Sequence, residues 1–251
     1  MRVFLHELRA QQLIFWRNRE AAFFTFLFPI LLLVLIGSVY GDEPIEGVDA
    51  PTFLLIGLLG YGVAANAFAG LAITLVVRRE AGVLKRVRGT PLGPGTYLAA
   101  VIGSTLVVIG LEVVAQLLLG VYVLGAEWPD QPLVFAAAVL VGTAAFAALG
   151  IAVTTAVRTA EGSSAVVNAI FLPMAFISGV FFSTAEMPSF LEAISEVLPL
   201  TYLLELIRAA FLPGEGFAAS ALAAVSLWGL AGLIVALRRF RWEPREGVAS
   251  T

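Results

Sequence analysis

Cysteine is absent from the 251 residues, and histidine and lysine occur once each, as His6 and Lys85. The first absence removes a disulfide framework, a thiol nucleophile and any cysteine-ligated metal site. A single histidine cannot form a His-clustered metal centre, and neither HExxH nor GxSxG occurs. His6 itself, without partners in the sequence, is read as surface decoration. A phosphate-cradling GxxxxGK[ST] loop needs glycine before its lysine, and Lys85 follows Val83 and Leu84. Hydrolysis of ATP by that route is therefore excluded, and membrane enzyme is a weak reading. Charge is scarce as well: 13% of the residues are charged, against about 25% in a typical soluble domain. The opening MRVFLHELRAQQ lacks an apolar core ending in small residues, so no removable signal peptide is expected.

What fills the chain instead is hydrophobic, at 60% of residues, above the roughly 45–50% of soluble domains. These residues gather into six runs: Ala21 to Tyr40, Pro51 to Val77, Thr96 to Leu124, Gln131 to Val157, Gly162 to Ala185 and Gly216 to Leu237. Each reaches the roughly 20 residues that an α-helix needs to cross a bilayer, and only Glu112 places an ionisable group inside one. Backbone in lipid must satisfy its own polar groups, and the alternating pattern of a membrane β-barrel is missing, so the expectation is an all-α integral membrane protein. Arg2, Arg9, Arg17 and Arg19 precede the first run, and Arg78, Arg79, Lys85, Arg86 and Arg88 lie between the second and third. Arg158 follows the fourth, and Arg238, Arg239, Arg241 and Arg245 follow the sixth. Apart from Arg208, all cations thus fall on one side of a six-span chain, which predicts cytoplasmic termini. The opposite loops are acidic, with Asp42, Glu43, Glu46, Asp49, Glu127, Asp130, Glu186, Glu192, Glu196, Glu205 and Glu215.

Two regions do not read as spans. Val3 to Arg19 places Leu5, Leu8, Phe15 and Trp16 near one helical face beside Arg9, Arg17 and Arg19, the pattern of a helix lying on the membrane surface; a solvated leader is the plainer alternative. In MPSFLEAISEVLPLTYLLELIRAAF, two helical patterns of roughly eleven residues each meet at Pro199. They are too short to cross, and predict either a re-entrant helix pair over 186–212 or capping loops at the surface. Within the spans, Glu112 and Gln116 share a helix face, as a proton or cation site or as a hydrogen-bonded packing pair. Asn66 and Asn168 are lone amides suited to interhelical hydrogen bonds, and Pro29 and Pro173 suit kinks.

The segment RREAGVLKRVRGTPLGPG, residues 78–95, carries more charge than orientation requires. Charge there also binds anionic lipid, at roughly a kcal/mol per cation. Its pattern predicts a short amphipathic helix and a rigid Gly-Pro turn. Glu80, Gly82, Leu84, Lys85, Arg88, Thr90, Pro91 and Leu92 resemble the E-x-G-x-L-K-x-x-R-x-T-P-L segment of ABC-2 type transporter permeases, including the daunorubicin-resistance branch. A second stretch is similar to that family's late signature, through Pro173, Ser178-Gly179, Pro188, Pro199-Leu200-Thr201, Tyr202 and Arg208.

The resemblance covers the whole chain and implies a permease subunit of a prokaryotic plasma-membrane exporter. It has no cofactor of its own. ATP and Mg would be bound by two copies of a separate ATP-binding subunit, and a second permease copy would complete a homodimer; membrane lipid is expected as a partner and nucleic acid is not. By the same resemblance Arg78, Arg79, Glu80, Gly82, Leu84, Lys85, Arg86, Arg88 and Pro91 would form the ATPase-coupling loop, and Arg158 and Glu161 a second cytoplasmic contact. Asn66, Glu112, Gln116, Asn168 and Ser178 are candidates for the translocation path, and Pro188, Pro199 and Tyr202 for an outer gate. The substrate implied is amphipathic: a drug, a lipid-linked molecule or a secondary metabolite. The competing reading is an ion-coupled carrier or a membrane scaffold, which would turn on Glu112 and leaves the basic loop unexplained.

Overall fold

A computed structural model describes residues 2–37, 45, 48–184, 187–212 and 218–243. The fold is all-α, and among the described residues six helices are long and apolar enough to cross a membrane. The end of the first run at Tyr40, the acidic residues Asp42, Glu43, Glu46, Glu186 and Glu215, Ala185, Gly216 and Arg245 lie outside the described residues.

The first span is α2 (Arg19–Gly37), preceded by α1 (Arg2–Arg17). Rather than merely lying alongside, α1 is tied to the third span. Gln12 donates to both the carbonyl and the hydroxyl of Ser104, each at 2.9 Å. Leu8 and Phe4 meet Gly103, whose missing side chain leaves them room. Leu5 and Trp16, expected on one apolar face with Leu8 and Phe15, are exposed, and Trp16 stacks on Phe26 of α2 at 5.4 Å between ring centroids. Hydrogen bonds from the Gln12 amide thus fix a helix whose apolar pattern alone suggests only an interface.

The second span is the core of the molecule. It begins at α3 (Ala50–Ala64), where Asp49 accepts the Thr52 N–H at 3.1 Å. It passes through six residues of π-helix (Ala65–Gly70) and continues as α4 (Leu71–Glu80). Nearly every side chain of α3 is buried, so it reads as an unbroken apolar run without a face. The third span is α6 (Pro94–Leu124), whose 31 residues cover about 46 Å at 1.5 Å each, more than a hydrocarbon core requires. The fourth is α7 (Pro132–Val153), the fifth α8 (Ala160–Ile177) and the sixth α11 (Ala219–Arg239). Spans four and six press backbone to backbone: a Cβ on Gly229 would come within 2.9 Å of Ala145, and one on Gly232 within 2.8 Å of Leu149 N. Small residues are what permit such contact between helices in lipid.

Span five ends earlier than hydropathy predicts. The apolar run continues to Ala185, but Gly179 adopts φ +85 and turns the chain out of the helix after Ile177. The backbone after the turn then lies directly on span two, where a Cβ at Gly57 would meet the Val180 carbonyl oxygen at 2.0 Å. The two short helices beyond it, α9 (Ser189–Ser195) and α10 (Pro199–Ala209), are not an equivalent pair. Phe190, Ile194 and Val197 of the first half stay exposed, whereas Leu200, Leu203, Leu204 and Ile207 are fully buried. The buried helix packs between spans two, four and six, with Leu204 occupying the notch at Gly60 and Leu203 that at Gly142.

Candidate functional site

Two regions stand out: a joint at the end of the bundle carrying the basic loop, and a polar cluster beside a cleft in the interior.

The joint begins where α4 ends. Gly82 takes φ +68, a left-handed conformation that closes a helix and that residues with a Cβ adopt at a cost, and α5 (Val83–Arg88) starts immediately after it. Arg79 does not face outward with the loop's other cations. It is 2% exposed and donates to the Thr154 carbonyl at 3.0 Å and the Val157 carbonyl at 2.8 Å. The Thr154 carbonyl caps the end of α7, where a cation is favoured by the helix dipole, and the Val157 carbonyl lies in the short connection to α8. Glu80 is turned toward span five: its Oε2 accepts the Ala160 N–H at 2.6 Å, at the positive end of α8. Thr159 caps the same helix by accepting from Gly162 N–H at 3.1 Å. Leu84 is buried as well, anchoring α5 from beneath. Arg78 donates to the Tyr97 hydroxyl at 2.8 Å, tying the loop to span three.

The loop therefore has two faces. Arg78, Arg79, Glu80 and Leu84 hold it to spans three, four and five. Lys85, Arg86, Arg88 and Pro91 are exposed, with Arg88 3.5 Å from Glu243. Arg158 and Glu161 are exposed next to the Glu80 contact, so the stretches assigned to two separate contacts form one surface. That Arg79 lies inside is illegible in sequence: it sits in a run of charged residues between Arg78 and Glu80, and the carbonyls it meets are 75 and 78 residues away.

The polar cluster is built on the π segment. Asn66 lies within it and donates to Glu112 Oε2 at 2.7 Å and to the Gly62 carbonyl at 3.1 Å. Gln116 donates to Glu112 Oε1 at 3.0 Å, and Thr25 of the first span donates to Asn66 Oδ1 at 3.3 Å. Glu112 fits only because residue 62 is glycine, since a Cβ there would lie 2.3 Å from Oε1. The π segment also bares backbone: Gly150 of span four approaches the Ala67 and Phe68 carbonyls so closely that a Cβ would fall 2.9 and 2.7 Å from them. π-Helical turns inside α-helices recur at functional positions.

A cleft of about 590 Å³ opens beside the cluster, between α1, α2 and spans two, three and five. Asn66, Glu112 and Asn168 line it, the last bonded to Ser164 at 3.2 Å. Gln116 lies behind Glu112, and Ser178 is buried at the far end of span five, outside the cleft. The outer-gate candidates are also apart from it. Pro188 is exposed before α9, Pro199 is buried as the first residue of α10, and the Tyr202 hydroxyl donates to the Glu196 carbonyl across the turn between them. Thr25, Tyr61, Gln11 and Asn18 join the cleft although nothing in their local sequence marks them. Among the described residues no group of three or more His, Cys, Asp or Glu is placed to hold a metal ion.

Comparison with known proteins places these features in one context. The ABC-2 type transporter family profile matches residues 3–212. The inner membrane transport permease YadH of Escherichia coli K12 is 27% identical over 190 residues, 74% of this chain and 72% of that protein. Nodulation protein J of Sinorhizobium fredii is 37% identical over 97 residues, 37% of this chain and 36% of that protein.

Proposed function

Starting from the fact that this chain belongs to the ABC-2 type transporter family, and so is a membrane permease subunit of an ABC transporter, we propose that it moves an amphipathic substrate outward on energy delivered through α5. The observation that carries the reading is the two-faced loop. Lys85, Arg86 and Arg88 present cations to an ATP-binding subunit, while Arg79 and Glu80 brace the opposite face against spans four and five. A push on α5 is delivered to three spans at once: to span two through the chain, to span four through Arg79 and to span five through Glu80. ATP and Mg bind in the partner, two copies of which serve two copies of this chain in a homodimer. The distribution of Arg and Lys supports placing both termini and the basic loop on the cytoplasmic side of the membrane. The Pro188–Tyr202 region closes the opposite side, where buried α10 moves with the spans that enclose it.

Purifying the chain from its native membrane together with any ATP-binding subunit that accompanies it tests this reading. A stable complex is expected, lost when Lys85, Arg86 and Arg88 are all replaced by glutamate. No complex with any ATP-binding subunit, together with undiminished transport by the triple variant, would overturn it.

A further inference from the structure

The geometry points to a binding site for a lipophilic ammonium compound in the cleft beside Asn66 and Glu112, with the N-terminal helix α1 as one of its walls. This rests on the permease reading and specifies the chemistry of what is moved. Hydrogen-bond bookkeeping carries it. Asn66 spends both amide hydrogens, on Gly62 and Glu112, and Gln116, behind the carboxyl, directs one of its two to Glu112. Thr25 spends its hydroxyl hydrogen on Asn66. What the cluster leaves in surplus toward the cleft is acceptors: the second lone pairs of the Glu112 oxygens and the Thr25 oxygen. A cluster whose cleft-facing donors are committed and whose cleft-facing acceptors are left over is complemented by a head group that brings N–H donors and positive charge.

The walls suit the body of such a molecule. Phe15, Phe24, Phe28, Tyr61 and Phe171 line the cleft, offering apolar surface and ring faces that attract a cation. Its volume of about 590 Å³ falls within the roughly 300–1,000 Å³ of pockets that hold drug-sized ligands. Charge sets the orientation. Arg78 also lines the cleft, twelve residues from Asn66 along the same span, or about 18 Å at 1.5 Å per residue. A cationic head is repelled there and attracted to Glu112. A structural role for the carboxylate explains its two donors but not the acceptor surplus or the aromatic cleft beside it.

Binding to the purified chain in lipid nanodiscs, without ATP or an ATP-binding subunit, tests the inference apart from the transporter reading. The probes are a dansyl-labelled dodecyl primary amine and the dodecyl alcohol of the same label, so that only the head group differs. The amine is expected to bind at least tenfold more tightly than the alcohol. Glu112→Gln, which keeps the shape and a hydrogen-bonding head, should abolish that preference while leaving alcohol binding in place. Glu192→Gln, an exposed carboxyl on α9, should change neither. Should Glu112→Gln fail to fold, Phe24→Ala, at a side chain 62% exposed, replaces it and should weaken both probes at least fivefold. Equal binding of amine and alcohol to the native chain, an amine preference that survives Glu112→Gln, or no effect of Phe24→Ala would overturn the proposal. A complex that hydrolyses ATP normally but fails these binding tests would refute the ligand class and leave the permease reading standing.

Discussion

Arg79 is the side chain whose environment departs most from its sequence context. Buried among carbonyls, it contributes two charge-assisted hydrogen bonds of about 1.5–3 kcal/mol each. Arg79→Ala is therefore expected to lower the melting temperature of the purified protein clearly, whereas Arg86→Ala, at an exposed position, should leave it within error. Arg79→Lys should recover little, because an ammonium cannot span both carbonyls as the planar guanidinium does. Equal melting temperatures for the Arg79→Ala and Arg86→Ala variants would show that the buried contact is not structural. Two glycines of the third and second spans make a second comparison. Gly62→Ala puts a methyl group 2.3 Å from Glu112 Oε1 and is expected to destabilise, while Gly110→Ala meets nothing within 4 Å and should be neutral or stabilising by up to about 1 kcal/mol. At this scale Glu112 was legible as the lone ionisable residue inside a span, and Gln116 as its helical neighbour. Asn66 as its cross-span donor was not, because helix spacing relates residues along one helix and says nothing of which face of the next helix they meet.

The π segment Ala65–Gly70 sets the rotation of α4 relative to α3. One residue turns an α-helix by about 100°, so inserting one alanine between Ala72 and Ile73, in the regular helix after the π segment, would swing Arg79 and Glu80 away from spans four and five. The insertion is expected to leave a membrane-inserted protein that no longer supports transport, and limited proteolysis of residues 154–160 should become faster. Unchanged proteolysis would mean that the joint survives the rotation. Hydropathy located all six spans because transfer of apolar side chains is additive along a run. It missed where helices stop when the stop is conformational: Gly179 ends span five inside a sequence that stays apolar. The burial of α10 against the exposure of α9 was equally hidden, since both have amphipathic patterns and only the notches at Gly60 and Gly142 decide which one is enclosed.

For the whole molecule, the charge asymmetry predicts that the basic loop and both termini share the cytoplasmic side. The absence of cysteine makes this directly measurable. With Arg86→Cys or Trp128→Cys as the sole thiol, a membrane-impermeant maleimide applied to intact cells should label only the second, and the reverse result would invert the orientation. Family membership and the six-span architecture were readable from composition and two motifs. How the basic loop is held was not, because it depends on side chains that meet across 75 residues or more. That brace is the centre of the account, and Glu80→Ala isolates it, since the side chain meets this chain's own Ala160 while the exposed cations remain to bind a partner. The decisive measurement is transport per ATP hydrolysed by the reconstituted complex carrying Glu80→Ala. The ATP-binding subunit is expected to co-purify in full and to hydrolyse ATP, with transport per ATP falling at least tenfold. An unchanged ratio would contradict the claim that α5 drives spans four and five through this joint.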